Sequence, residues 1–211
     1  MQIAILIFQQ LTALDAIGPY EVLSRLPGAE LTFVAPEPGE IRTDTGRLGI
    51  TADASIDELT DPDVLLIPGG KGNRPLLTDE RVLDWVRTAH ETTQWTSSVC
   101  TGSLVLGAAG VLEGKRATSH WVHREALRKY GAKPVAERVV EDGKIITAAG
   151  VSAGIDMALT LTARLTHEEV AKAIQLGIEY DPAPPFDSGS PEKAGDDLVN
   201  LVRGYQEEAQ G

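Results

Sequence analysis

The sequence predicts an α/β sandwich, a mostly parallel central sheet with helices on both faces, and three observations carry that reading. Four short runs are continuously apolar or β-rich, as strands buried on both faces are, where a half-exposed strand would alternate. Segments with helical spacing separate these runs, so the chain alternates strand and helix. Two further stretches carry turn signals between short β-rich arms, which adds antiparallel hairpins to the parallel core.

In order, the strands are "IAILIF" (3–8), "LTFVAP" (31–36), "DVLLIPGG" (63–70) and "TSSVC" (96–100). The first helix, "LDAIGPYEVLSRL" (14–26), has Asp15 in its first turn. The second, "DERVLDWVRTAHETTQ" (79–94), places Val82, Leu83 and Val86 on one side behind a Thr78/Asp79 start signal. A third opens at Cys100, and a fourth over 121–131 is stopped by Gly131. The hairpins fall at 41–56 and 136–150, the second turning at Glu141-Asp142-Gly143. Two helical segments follow Gly150. Then comes a Pro- and Gly-rich loop (181–191) and an amphipathic helix with Leu198, Leu201 and Val202 on one side. With no repeat, low-complexity tract or linker, residues 1–211 read as a single domain.

Composition narrows the function. At 42% hydrophobic and 24% charged residues, the chain supports an ordinary core. The net charge of −12 disfavours nucleic acid, whose phosphates this surface would repel. The apolar "MQIAILIF" lacks a basic flank and ends at Gln9, so it reads as a strand and not a secretory segment. No run approaches the ~20 apolar residues of a membrane span. One cysteine cannot form an internal disulfide, which fits a reducing, cytoplasmic setting.

In open α/β sheets, sites form beyond the carboxyl ends of the strands. Three such ends hold chemistry. "SVCTG" places Cys100 between a strand and a helix, with Gly102 allowing close backbone approach; this has the form of a nucleophile elbow. The following helix N-terminus favours the thiolate. At the reference pKa only roughly 3% of a thiol is ionised at pH 7, and ~2.7 kcal/mol of differential stabilisation makes the thiolate the majority. The competing reading is a buried core thiol. "IPGG" (67–70) brings backbone N–H groups near the elbow, so Gly70 N–H and Thr101 N–H form a candidate oxyanion pair, though Pro-Gly-Gly also serves as a plain turn. Asp15 either caps its helix or faces Cys100; facing it, the two acids share a proton and Asp15 can act as general acid.

Other motifs carry less. "GVSAG" (150–154) matches the serine-hydrolase pattern, but the one histidine downstream of it is His167, at an apparent helix start, and Ser152 is explained as an N-cap. "GGKGNR" fits no nucleotide-binding fingerprint. His120 and His123 lack the partners of a metal site; His120 ends "RATSH", another candidate strand end.

Taken together, "LTALDAIGPYEVL", "LLIPGG", "SVCTGSLVLGAAGVLEGKRATSHW", "AAGVSAGIDMALTL" and "IEYDPAPPFDSGSP" resemble the ThiJ/PfpI superfamily, relatives of class I glutamine amidotransferases. The resemblance implies a flavodoxin-like three-layer sandwich, a homodimer, and a reactive cysteine at Cys100. It requires no metal or organic cofactor. Peptidase-like members carry Cys-His at the elbow; Thr101 stands there instead, which removes the local base for proteolysis. The combination of Asp15, Cys100-Thr101 and "YDPAPPFDSG" is similar to the isonitrile (isocyanide) hydratase branch. That branch implies a small-molecule substrate, attack by Cys100, proton management by Asp15 and a thioimidate steadied by Thr101. Two alternatives stand beside it: a glyoxalase of the same superfamily acting on methylglyoxal-like dicarbonyls, and a non-catalytic thiol stress sensor.

Overall fold

The computed structural model describes residues 1–208. The chain falls into two compact units, Met1–Ile178 and Glu179 onward. In the first, β1 (Gln2–Leu6) leads to α1 (Ala13–Leu23), β2 (Glu30–Ala35), the hairpin strands β3 (Gly39–Arg42) and β4 (Gly49–Ala52), and the short β5 (Ala54–Ser55). Next come β6 (Val64–Ile67), α2 (Glu80–Thr92), β7 (Trp95–Val99) and α3 (Gly102–Ala108). The two-residue strands β8 (Arg116–Ala117) and β9 (Lys133–Pro134) precede the hairpin of β10 (Val139–Asp142) and β11 (Ile145–Ala148), then α4 (Ala153–Leu165) and α5 (Glu168–Gly177). The second unit holds α6 (Pro191–Ala194) and α7 (Asp196–Glu208), on which Leu198, Leu201 and Val202 are exposed.

The seven-stranded sheet runs β10-β11-β7-β6-β1-β2-β5 and is parallel except at β10. Ile3 to Leu6 and Val64 to Ile67 are all at 0% exposure, which is why these runs are continuously apolar. The five strands β2-β1-β6-β7-β11 reproduce the flavodoxin-like order. From β1 the chain moves one way to β2, and from β6 the other way to β7, so the connections diverge between β1 and β6. Right-handed crossovers then put α1 on one face and α2 and α3 on the opposite one. α1 packs on α4 and α4 on α5, while α2 meets α3. Gly154 makes the first contact possible: a Cβ there would come within 3.1 Å of Pro19 and Val99.

Three local expectations change. The helix over 121–131 is a tighter 3-10 segment, Arg124–Tyr130, though Gly131 does end it in a left-handed cap at φ 73°. Its Tyr130 ring occupies the space that a Cβ on Gly107 would need, so docking onto α3 shapes this segment more than its own periodicity. The 41–56 stretch is divided: β3 and β4 form a separate two-stranded sheet, and 54–55 joins the main sheet beside β2. Ser152 does precede α4, but its Oγ accepts from Arg138 at 3.3 Å instead of capping the helix.

Candidate active site

The divergence between β1 and β6 opens a crevice at the carboxyl ends of the strands, and three segments meet there: 7–15, which includes the first turn of α1, 68–73 and 100–101. Asp79 shows how the scaffold is fixed locally, its carboxylate accepting from the N–H groups of Arg81 and Val82 to start α2. The site itself is held by longer-range bonds.

Cys100 sits at φ +57°, a left-handed conformation that costs a non-glycine residue on the order of 1 kcal/mol or more. Its surroundings over-determine it. The Cys100 N–H donates to the carbonyls of Ala148 and Ala149, both at 3.1 Å. Its carbonyl accepts from Ser119 Oγ at 2.9 Å and Ser103 Oγ at 3.1 Å. Two residues on, a Cβ at Gly102 would lie 2.0 Å from the Ile67 carbonyl oxygen, so only glycine lets the start of α3 press against the end of β6. The elbow form read from "SVCTG" is therefore a real constraint on the chain.

Asp15 is at 0% exposure and Cys100 at 6%. Asp15 Oδ2 accepts from Gly69 N–H at 2.9 Å, and Oδ1 is buried without a hydrogen-bond partner. Gly69 occupies the space between Asp15 and Thr101: a Cβ on it would be 2.6 Å from both N and Oγ1 of Thr101 and 2.9 Å from Asp15 Oδ2. The Asp15 carboxyl and the Cys100 thiol are close enough for each to shift the other's pKa. Burial raises the Asp15 pKa from 3.8 to about 7, against the opposing pull of Gly69 N–H and the thiol, with Asp44 adding repulsion. Burial first, and the Asp15 charge second, push the thiol well above its usual range, while the Thr101 N–H and hydroxyl pull it down. The expected lowering by the helix N-terminus does not prevail. α3 has seven residues, and the sulfur lies in a desolvated site beside an acid. The pair therefore loses its protons in coupled steps.

Gly70, the other candidate oxyanion donor, meets the Thr101 side chain. Its N–H donates to Thr101 Oγ1 at 3.1 Å and so holds the hydroxyl that, with the Thr101 N–H, pulls the thiol pKa down. Asn73, which no sequence pattern singled out, is 4% exposed and donates from Nδ2 to the Thr101 carbonyl at 2.9 Å. Ser103 and Ser119 were equally silent, although Ser119 lies within the strand end "RATSH". His120 packs where a Cβ of Gly150 would clash, and burial, with His123, lowers its pKa to about 4, so the ring is neutral. His90 bonds Thr96 near the start of β7, and His167 precedes α5. Among the described residues, no group of three or more His, Cys, Asp or Glu side chains is arranged to hold a metal ion. Asp44 lines a groove of about 1000 Å³ beside the β3–β4 hairpin, together with Arg42, Lys71 and Arg74.

The DJ-1/PfpI family profile matches residues 1–164. The chain is 45% identical over 203 residues to isonitrile hydratase of Pseudomonas putida, covering 96% of this chain and 89% of that one. It is 30% identical to DJ-1 homolog A of Arabidopsis thaliana, covering 81% of this chain and 44% of the relative. A crystal structure of a ThiJ/PfpI family protein from Pseudomonas syringae superposes with a TM-score of 0.91 at 38% identity, covering 99% of this chain and 88% of that one.

Proposed function

This chain belongs to the DJ-1/PfpI family, and from that membership we propose that it is an isonitrile hydratase, a hydro-lyase that adds water to an isocyanide to give an N-substituted formamide. The observation that carries the reading is the buried Asp15–Cys100 pair with Thr101 beside it, in a chain 45% identical to an isonitrile hydratase over 96% of its length.

The chemistry needs a nucleophile and a proton source that do not quench each other, and a coupled pair supplies both. Cys100 sulfur, as the thiolate, attacks the terminal carbon of R–N≡C. That carbon takes the proton from Asp15, giving a thioimidate, Cys–S–CH=N–R. Water then adds to the same carbon while its proton passes through the Asp15 carboxylate to the nitrogen. The tetrahedral adduct collapses, the C–S bond breaks, and HC(=O)–NH–R leaves as the pair regains its starting proton. Thr101 N–H and hydroxyl steady the sulfur and the adduct, and Gly70 N–H acts through that hydroxyl.

The reading includes a small-molecule substrate, a homodimer in the cytoplasm and a single family domain over residues 1–211, with no nucleic-acid or membrane partner. The net charge of −12 supports the absence of nucleic acid. No helix of the described residues is long and apolar enough to cross a membrane. The identity to the hydratase extends over 96% of the chain, beyond the 1–164 family match.

The test is direct. Purified protein mixed with cyclohexyl or aryl isocyanide is expected to produce the corresponding formamide, with turnover lost in Cys100→Ala. No formamide from the wild type, or full activity in Cys100→Ala, overturns the assignment. Lactate from methylglyoxal in place of formamide would move it to a glyoxalase.

A further inference from the structure

Two buried hydroxyls converge on one carbonyl at the elbow, and the mechanism above uses neither. Ser103 belongs to the first turn of α3, and Ser119 lies 19 residues downstream of Cys100, past β8; both are at 0% exposure. Both donate to Cys100 O, at 3.1 Å and 2.9 Å. This carbonyl belongs to the peptide that links Cys100 to Thr101. A trans peptide is planar, and its C=O and N–H point in opposite directions. Holding the oxygen from two sides therefore fixes the direction of Thr101 N–H, the backbone group that pulls the Cys100 thiol pKa down. The restraint is needed because φ of Cys100 is +57°, where the backbone does not settle of its own accord. Two hydrogen bonds accepted by the carbonyl also polarise the peptide and strengthen its N–H as a donor. The far side of the elbow is pinned in the same manner, Asn73 Nδ2 reaching the Thr101 carbonyl at 2.9 Å.

We propose that Ser103 and Ser119 are positioning residues that aim the Thr101 N–H at the sulfur and at the adduct formed on it. The part concerning the adduct rests on the hydratase reading; the part concerning the sulfur does not. Removing an oxyanion donor outright costs about 10²–10³-fold in kcat, and misaiming one costs less. Ser119→Ala and Ser103→Ala are each expected to lower kcat for isocyanide hydration by roughly tenfold, with KM within about twofold, and the double variant by more.

Cys100 is the sole cysteine of the chain, so its alkylation can be followed by intact mass without interference. A misaimed N–H stabilises the thiolate less, so the pH profile of iodoacetamide alkylation is expected to move to higher pH in both single variants. Circular dichroism and thermal midpoints identify which variants are folded, and either folded single variant decides the matter. A folded variant whose alkylation profile coincides with that of the wild type overturns the proposal, as does one whose loss lies in KM alone. If the wild type makes no formamide but the alkylation profiles shift, the hydratase reading fails and the positioning role stands.

Discussion

At Asp15 burial outweighs every hydrogen bond the carboxyl receives, and its proton is held to about pH 7. Asp44 contributes to this from the groove wall, where Thr12 Oγ1 donates to its Oδ2 at 3.1 Å. Asp44→Asn keeps an acceptor for Thr12 and removes the repulsion, so the pH–rate profile of hydration is expected to move to lower pH with little change in its maximum. Asp15→Asn cannot supply the proton and is expected to lose about 10²–10⁴-fold in kcat, read by formamide production at fixed pH. Cys100, Asp15 and Thr101 stand out as candidates in the sequence because reactive residue types at strand ends contrast with a buried core. Asn73, Ser103 and Ser119 do not. Their work lies in partners 28, 3 and 19 residues away, and no local pattern records which hydroxyl or amide meets which carbonyl. Gly69 and Gly70 were legible as parts of a donor loop, but not as the groups that meet the Asp15 carboxyl and the Thr101 hydroxyl.

Among the elements, α3 is the one whose placement decides the site. Its first residue, Gly102, leaves no room for a side chain, since an added Cβ would meet Ile67 O at 2.0 Å, and backbone cannot swing aside as a side chain can. Gly102→Ala is expected to cost about 3 kcal/mol or more, read as a drop in the urea midpoint, and to disturb the elbow in whatever folds. Asp79→Ala, by contrast, removes a surface cap from α2 and should cost about 1 kcal/mol with hydration unaffected. The buried strands were readable because a parallel sheet covered on both faces leaves a continuous apolar run, and Asp79 because capping is a local bond. The 3-10 winding of Arg124–Tyr130 was not readable, because Tyr130 docks on Gly107 of another helix. The separation of β3 and β4 from the main sheet was hidden for a similar reason: pairing partners are chosen in three dimensions.

For the molecule as a whole, the buried titratable groups set opposing slopes of stability against pH. Asp15 rises from 3.8 unfolded to about 7 folded, so its contribution is fully present below pH 3.8 and is lost as pH climbs through 7. His120 falls from 6.5 to about 4, and its contribution is present above pH 6.5 and lost on acidification towards 4; His90 shifts in the same direction. Each full proton is worth about 1.4 kcal/mol per pH unit, so between pH 4 and 6.5 Asp15 offsets His120. Asp15→Asn removes that compensation. Its urea stability relative to the wild type is expected to improve steadily from pH 4 to 7, by a few kcal/mol in all, and an unchanged difference across that range would contradict the assigned proton. The bonds that build the site have a kinetic consequence as well. Asp15 meets Gly69 across 54 residues, Gly70 meets Thr101 across 31 and Ser119 meets Cys100 across 19. Contacts so distant along the chain form late in folding and do not survive its loss. The lone thiol is thus a clock for the chain's own integrity: the rate at which it becomes labelled in mild denaturant counts the openings of the parallel sheet.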